Sequence, residues 1–292
     1  MFDLHLHTNL SDGASSIEEL IELANNAELR FMSITDHNHA LAFQSENLPK
    51  LQNFKGRILT GCEIATSFKG SIIEILGYGI KPEIINSWYK EFFSEENLVK
   101  KENFLFDKLK KLCYKENVKL EQELNLGEIK KGCSKRTIYE SLIKFDENKE
   151  ALGINSYREF FRQVLSNPKH PLFLNEGETY PELKAVVNLI HEAGGKAFLA
   201  HPFEYGFENK LEAIEEIIKL CPLDGIEVFH PSAAVYECSK LESFCKDYSL
   251  YISGGSDFHS FKRNTRVGLS SGNKTLDDEL ILPWIKENML IK

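Results

Sequence analysis

The 292-residue chain has no apolar run near the ~18 residues a membrane-spanning helix requires, which excludes an integral helical membrane protein. It opens Met1-Phe2-Asp3 with neither a basic nor an apolar stretch behind it, so no secretion signal is expected. Paired cysteines are missing as well: Cys62, Cys113, Cys133, Cys221, Cys238 and Cys245 are scattered and form no CxxC motif. Reduced thiols in a cytoplasmic protein are the expectation. Basic charge is in deficit. With 35 Lys plus Arg against 44 Asp plus Glu, the net charge is −9, and the chain lacks the positive surface that long duplex nucleic acid demands. A small phosphorylated ligand held by a few local cations remains compatible with that balance. There is no GxSxG or P-loop motif, no internal repeat and no low-complexity tract.

What is present is a βα rhythm. Strands are predicted at Phe2 to His7, Phe31 to Thr35, Arg57 to Ala65 and Ser71 to Ile80, bounding a mainly parallel sheet. Ser15 with Glu18 three residues on reads as a capping box that opens a helix bearing Ile17, Leu20, Ile21, Ala24 and Ala27 on one face. Strand signals then vanish over residues 82–170, where Lys- and Glu-rich helical segments such as Asn97 to Asn117 and Ser134 to Lys144 take over. This stretch is expected to be a helical insertion joining strands four and five and capping the mouth they share. The rhythm resumes with strands at Lys196 to Ala200, Gly225 to Phe229 and Leu250 to Ser253, separated by helices over Leu211 to Leu220 and Ala233 to Tyr248. Seven strands suit a closed or nearly closed α/β barrel formed by residues 1–81 and 171–292.

Histidine is the informative residue. Of nine, seven (His5, His7, His37, His39, His201, His230 and His259) sit at or just beyond the C-terminal end of a predicted strand, the end that carries chemistry in parallel βα proteins. Strand period two puts Asp3, His5 and His7 on one face, and the turn Ser11-Asp12-Gly13 can return a carboxylate over them. Other strand ends read Thr35-Asp36-His37-Asn38-His39, Gly61-Cys62-Glu63, Ala200-His201-Pro202, Phe229-His230-Pro231 and Gly255-Ser256-Asp257-Phe258-His259. Such a crowd of imidazoles and carboxylates in one mouth is costly unless cations neutralise it. A mixed nitrogen and oxygen shell suits Zn²⁺, Mn²⁺ or Fe²⁺, and the donors outnumber what one ion accepts.

The order HxH, SDG, TDH, GxE, AHP and GSDFH resembles the PHP (polymerase and histidinol phosphatase) phosphoesterases. That resemblance implies a distorted (β/α)7 barrel and two or three divalent ions. His5, His7, Glu63 and Asp257 would hold one ion, Glu63 would bridge to a second with His201, and Asp12, His37 and His259 would hold a third. Where the family has a histidine in the following strand this chain has Glu74, which as a ligand would favour harder ions and otherwise reads as a strand glutamate. The segment His7 to Gly13 is similar to the branch acting on nucleotides, and the Cys and extra His of the histidinol phosphatases are absent.

The implied chemistry is hydrolysis of a small phosphomonoester by attack of a metal-bridging hydroxide. A nucleoside monophosphate, a 3′,5′-bisphosphate or a short oligonucleotide is the expected substrate. The resemblance points to Arg136 as the phosphate grip, with Arg263 and Arg266 as further candidates, because arginine matches phosphate oxygens bidentately. His230 is placed as a proton donor to the leaving alkoxide or as a support for a ligand, and His39 as a loop-surface residue. Asp3 and Asp36 are expected to orient ligating histidines, while His170 and His191 read as structural. Aromatic residues of the insertion, among them Trp88, Tyr89, Phe104 and Phe160, read as core, with base stacking as the alternative. A histidinol-phosphate phosphatase, a polymerase accessory module and a non-catalytic metal-binding protein are the competing readings.

Overall fold

The computed structural model describes residues 1–291. Its seven strands are β1 (Phe2–Asp3), β2 (Phe31–Ile34), β3 (Arg57–Phe68), β4 (Ser71–Tyr78), β5 (Lys196–Leu199), β6 (Gly225–Phe229) and β7 (Tyr251–Gly254). They pair in sequence order, so the sheet curls strand by strand. Beyond β1 the chain also meets the end of β7: Leu4 N–H donates to Gly254 O at 3.2 Å, and Leu6 bridges Phe258 in parallel. The barrel is therefore nearly closed. Regular strand structure at β1 ends at Asp3, earlier than the predicted His7.

One strand departs from the parallel expectation. β4 runs antiparallel to both β3 and β5, with Ala65 opposite Glu74 and Tyr78 opposite Lys196. This reversal matters for position, because residues early in β4 lie beside the C-terminal ends of the parallel strands.

Alternate strand residues divide between two clusters, as a pleated sheet covered on both faces requires. Met32, Ile34, Ile58, Ile75, Ala197, Leu199, Ile226 and Val228 pack with the helices, including Leu20, Ile21 and Ala24 of the helix Ile17–Asn26. Phe31, Leu59, Leu76, Tyr78 and Phe198 instead pack with Phe2, Leu4 and Trp284. Trp284 comes from the C-terminal segment, and Leu276 and Leu290 of that segment bridge Phe2 and Leu59. The apolar plug thus fills the end of the barrel where the parallel strands begin, leaving the opposite end for polar side chains.

The capping box of Ile17–Asn26 sits one residue later than predicted. Ser16 Oγ accepts from Glu19 N–H at 3.2 Å, and Glu19 Oε2 accepts from Ser16 N–H at 2.7 Å. Ser15 and Glu18 satisfy the same spacing, but Ser15 is buried and its carbonyl accepts from Asn9 N–H, which fixes the helix start at its neighbour. Ser16→Ala should therefore destabilise the chain by about 1 kcal/mol in urea unfolding, and Ser15→Ala by much less.

The chain divides into two compact units, Met1–Tyr89 with Tyr180–Lys292, and Lys90–Thr179. The helix Pro82–Phe92 falls largely in the first because its buried Asn86 accepts from Ala40 N–H and donates to Ala40 O. Lys90–Thr179 has its own core, including Leu105, Leu109, Ile138, Leu142, Phe160 and Val164. Within it, buried Glu102 accepts from the amides of Gly132 and Ser134 at 2.7 and 2.9 Å, satisfying donors at the start of the helix Cys133–Leu142. All six cysteines are buried and unpaired. No described helix is long and apolar enough to cross a membrane.

Candidate metal centre

The site is built where the parallel strands end. His5 and His7 follow β1 with ring centroids 5.1 Å apart, and His7 stacks on His259 at 4.1 Å. His5 Nε2 lies 3.3 Å from Glu63 Oε2 and 3.3 Å from Asp257 Oδ1, and His7 Nε2 lies 3.4 and 3.1 Å from the same two oxygens. Donor atoms held ~2.1 Å from one ion sit roughly 3.0–3.5 Å from one another, so these spacings are those of a coordination shell. Glu63 is the hub: its Oε2 also faces His37 Nδ1 at 3.2 Å, and its Oε1 faces His201 Nε2 at 2.9 Å.

Asp12 arrives as the turn predicts. Gly13 N–H and Ser11 N–H both donate to Thr8 O, and a Cβ at Gly13 would lie 2.4 Å from His7 O, so only glycine permits this return. Asp12 Oδ1 then stands 3.0 Å from His259 Nε2, 3.5 Å from His37 Nε2 and 3.8 Å from His7 Nδ1. Glu74, brought to this end by the reversal of β4, lies 3.3 Å from His201 Nε2 and 3.5 Å from His37 Nδ1. Gly255 permits the end of β7 to approach β1, since a Cβ there would lie 2.5 Å from both His5 Cβ and His5 N. Two of the clustered residues have left-handed backbone, Asp257 at φ 48° and His201 at φ 21°, strain that collects where side chains are aimed for function.

All nine candidate ligands, His5, His7, Asp12, His37, Glu63, Glu74, His201, Asp257 and His259, thus converge. Their donor atoms fit divalent cations better than they fit one another: His5 Nε2 and both ring nitrogens of His7 are buried without a hydrogen-bond partner. Four compact groups of donors can be drawn among them and His230.

Residues 3–229 match the PHP domain. The chain belongs to the PHP domain family. It is 26% identical over 270 residues to a phosphoribosyl 1,2-cyclic phosphate 1,2-diphosphodiesterase of Eggerthella lenta, covering 91% of this chain and 97% of that one. A 5′-3′ exoribonuclease of Escherichia coli is 26% identical, with 89% and 85% covered. A 3′,5′-nucleoside bisphosphate phosphatase of Chromobacterium violaceum is 25% identical, with 88% and 87% covered. Among solved structures, an amidohydrolase from Chromobacterium violaceum with bound sulfate and no metal superposes with a TM-score of 0.60 at 21% identity, covering 94% of this chain and 91% of that one.

Electrostatics in this PHP mouth follow from the crowding of imidazoles and carboxylates. Burial pushes Glu63 up, but His5, His201 and His37 outweigh it and hold its carboxyl well below the usual range. Asp257 is likewise held well below its usual range, burial being outweighed by His5, His230 and His7. Asp12 is brought down to about 2 by His259, His37 and His7 against the effect of burial. Glu74 goes the other way, pushed up to about 8 by burial and by the charge of Glu63. His201 rises to about 9 because Glu63 and Glu227 outweigh its burial. Protons and divalent ions are alternative ways to neutralise the same carboxylates, so a cation bound here would displace protons.

The supporting contacts correct several expectations. Asp3 orients no histidine ring; it accepts from the amides of Ser256 at 2.9 Å and Gly268 at 2.8 Å, tying β1 to the segment after β7. Asp36 accepts from Thr8 N–H, Thr8 Oγ and Ser11 Oγ, so it shapes the HxH loop. His39 is buried, not at the surface: its Nδ1 accepts from Leu41 N–H and its Nε2 donates to Leu10 O at 3.1 Å. Glu227 is the partner that sequence reasoning missed. Fully buried on β6, it accepts from His5 Nδ1 at 2.9 Å and from His201 N–H at 2.8 Å.

The arginines separate by position. Arg263 has a guanidinium nitrogen 3.6 Å from Asp12 Oδ2, at the edge of the cluster. Arg266 donates to Thr265 O at 2.7 Å and lies over the Phe261 ring. Arg136 belongs to the Lys90–Thr179 unit, where it stacks over Tyr157 at 4.5 Å and pairs with Glu140. His191 pairs with Asp224 at 2.8 Å, and His170 Nδ1 accepts from Leu172 N–H, both structural uses.

Proposed function

We propose that this PHP protein is a metal-dependent hydrolase of phosphoric esters that acts on a small phosphate ester carried by a nucleoside or ribose unit. A nucleoside monophosphate, a 3′,5′-bisphosphate or a short oligonucleotide fits this description. The observation that carries the reading is the pair of buried imidazole nitrogens without hydrogen-bond partners, His5 Nε2 and His7 Nε2, facing the carboxylates of Glu63 and Asp257 at cation-shell spacing. The phosphodiesterase of Eggerthella lenta and the bisphosphate phosphatase of Chromobacterium violaceum support the substrate class, since each is named for such a phosphoester, and the exoribonuclease of Escherichia coli is named for RNA.

In this reading His5, His7, Glu63 and Asp257 hold one ion, Glu63, Glu74 and His201 a second, and Asp12, His37 and His259 a third. Manganese, iron or zinc suits the mixed shells, and the two carboxylates of the second position favour the harder ions. Bound divalent ions supply Lewis acidity, neutralise phosphate charge and lower the pKa of water. The protein supplies orientation: His259 Nδ1 donates to Asp257 O at 2.9 Å, which leaves its Nε2 lone pair toward Asp12 and a shared cation. Arg263, at the edge of the cluster, is the proposed phosphate grip, and Arg266 a weaker one because its donors are turned to its own loop.

The test is phosphate release from nucleoside monophosphates, bisphosphates, short RNA, sugar phosphates and histidinol phosphate, with Mn²⁺, Fe²⁺ or Zn²⁺ added. Turnover of the nucleotide substrates, abolished by His5→Ala together with loss of bound metal, is the expected result. Metal binding without hydrolysis of any ester would refute the reading, and preference for histidinol phosphate would refute its substrate class.

A further inference from the structure

The ring of His230 is fixed by the backbone that follows it. Ser232 N–H donates to His230 Nδ1 at 3.2 Å, and Ser232 Oγ lies 2.7 Å from the same nitrogen. An amide N–H can only donate, so Nδ1 must offer its lone pair, and the neutral ring carries its hydrogen on Nε2. That nitrogen is buried without a hydrogen-bond partner, 3.5 Å from Asp257 Oδ2.

This is the opposite of the arrangement at His5 and His259. There Nδ1 donates, to Glu227 Oε1 and to Asp257 O, and the Nε2 lone pair is free for a cation. His230 lies close enough to His5 and Asp257 to complete a three-donor group, yet its cluster-facing nitrogen bears a hydrogen instead of a lone pair. Asp257 Oδ2 stands near this buried N–H but too far for a well-made hydrogen bond, and an anionic oxygen entering the mouth would give it a closer acceptor.

We propose that His230, through Nε2, is a fixed N–H donor that hydrogen-bonds an oxygen of the substrate's phosphoryl group, and that it neither ligates a metal nor surrenders its proton. The inference rests on the phosphoester reading above. It differs from proton donation to the leaving group, because no bond to hydrogen breaks. A fixed donor aimed at an oxygen that gains charge in the transition state stabilises that state more than the ground state.

Three measurements test it. Two-bond ¹⁵N–¹H correlation spectra of the full chain, metal-free and zinc-loaded, should show hydrogen on His230 Nε2 and none on Nδ1. His230→Ala and His230→Gln should both retain the wild-type number of metal equivalents by elemental analysis. Turnover should fall by roughly 10²–10³-fold in His230→Ala, as for loss of one transition-state donor, and by much less in His230→Gln, whose amide can replace the donor. The alanine deficit should be the same for p-nitrophenyl phosphate as for an alkyl phosphate. Loss of a metal equivalent in His230→Ala would make the residue a ligand and overturn the proposal, as would a proton on Nδ1, wild-type turnover in the alanine variant, or a deficit confined to poor leaving groups. If the wild-type chain hydrolyses no phosphoester, the functional reading fails, while the spectra and the metal count still decide the tautomer and the ligand question.

Discussion

Glu63→Gln is expected to release metal and abolish turnover together. The two carboxylate oxygens of Glu63 face ring nitrogens of His5, His7, His37 and His201 at 2.9 to 3.4 Å, so this one side chain reaches histidines of all three proposed positions. Glutamine keeps the shape and removes the charge, leaving one amide nitrogen where an oxygen faced imidazoles or a cation. Breaking a buried charge set by neutralising one member costs about 3–5 kcal/mol. At 1.4 kcal/mol per factor of ten, metal affinity should fall by roughly 10²–10³-fold or more. Elemental analysis after dialysis, with chelator competition to obtain affinities, checks this. A Glu63→Gln chain that keeps the wild-type metal content would show that the carboxylate does not bridge.

Much of this site was legible in the sequence because its residues sit at strand ends, and strand ends are marked by local signals. His5, His7, Glu63, His201 and Asp257 each close or follow an apolar run, and the (β/α)7 order brings such ends together whatever the intervening helices do. Glu74 was harder. Its position near the start of β4 points away from the mouth in an all-parallel sheet, and only the antiparallel pairing with β3 and β5 brings it beside His201. The capping box slipped by one residue because Ser15-Ser16-Ile17-Glu18-Glu19 contains the pattern twice and burial chooses between the copies. Asp3 and Asp36 stand beside histidines in sequence yet bind backbone amides and hydroxyls, since buried turns also need acceptors. Glu227 gave no signal at all: Gly225-Ile226-Glu227-Val228-Phe229 reads as an ordinary half-buried strand with its glutamate outward.

That hidden residue carries the second large effect. Glu227 touches no candidate ion position directly, yet one oxygen holds the ring of His5 and the other holds the backbone of His201, so it pins ligands of two proposed positions at once. Its carboxylate requires a hydrogen on His5 Nδ1, which leaves Nε2 as a lone pair toward Glu63 and Asp257. Glu227→Gln should invert this arrangement. The single amide oxygen is claimed by His201 N–H, so the amide nitrogen faces His5 Nδ1 and turns the ring's hydrogen toward the metal side. Metal affinity should drop by about 10–100-fold, the usual cost of losing such an orienting partner. Glu227→Leu should lose affinity similarly and also stability, by roughly 1–3 kcal/mol for each donor left without an acceptor, which urea unfolding of the metal-free chain would reveal. The contrast between the two variants is the decisive measurement: if glutamine binds metal as well as wild type while leucine only destabilises, Glu227 is a structural acceptor and does not set the tautomer of His5.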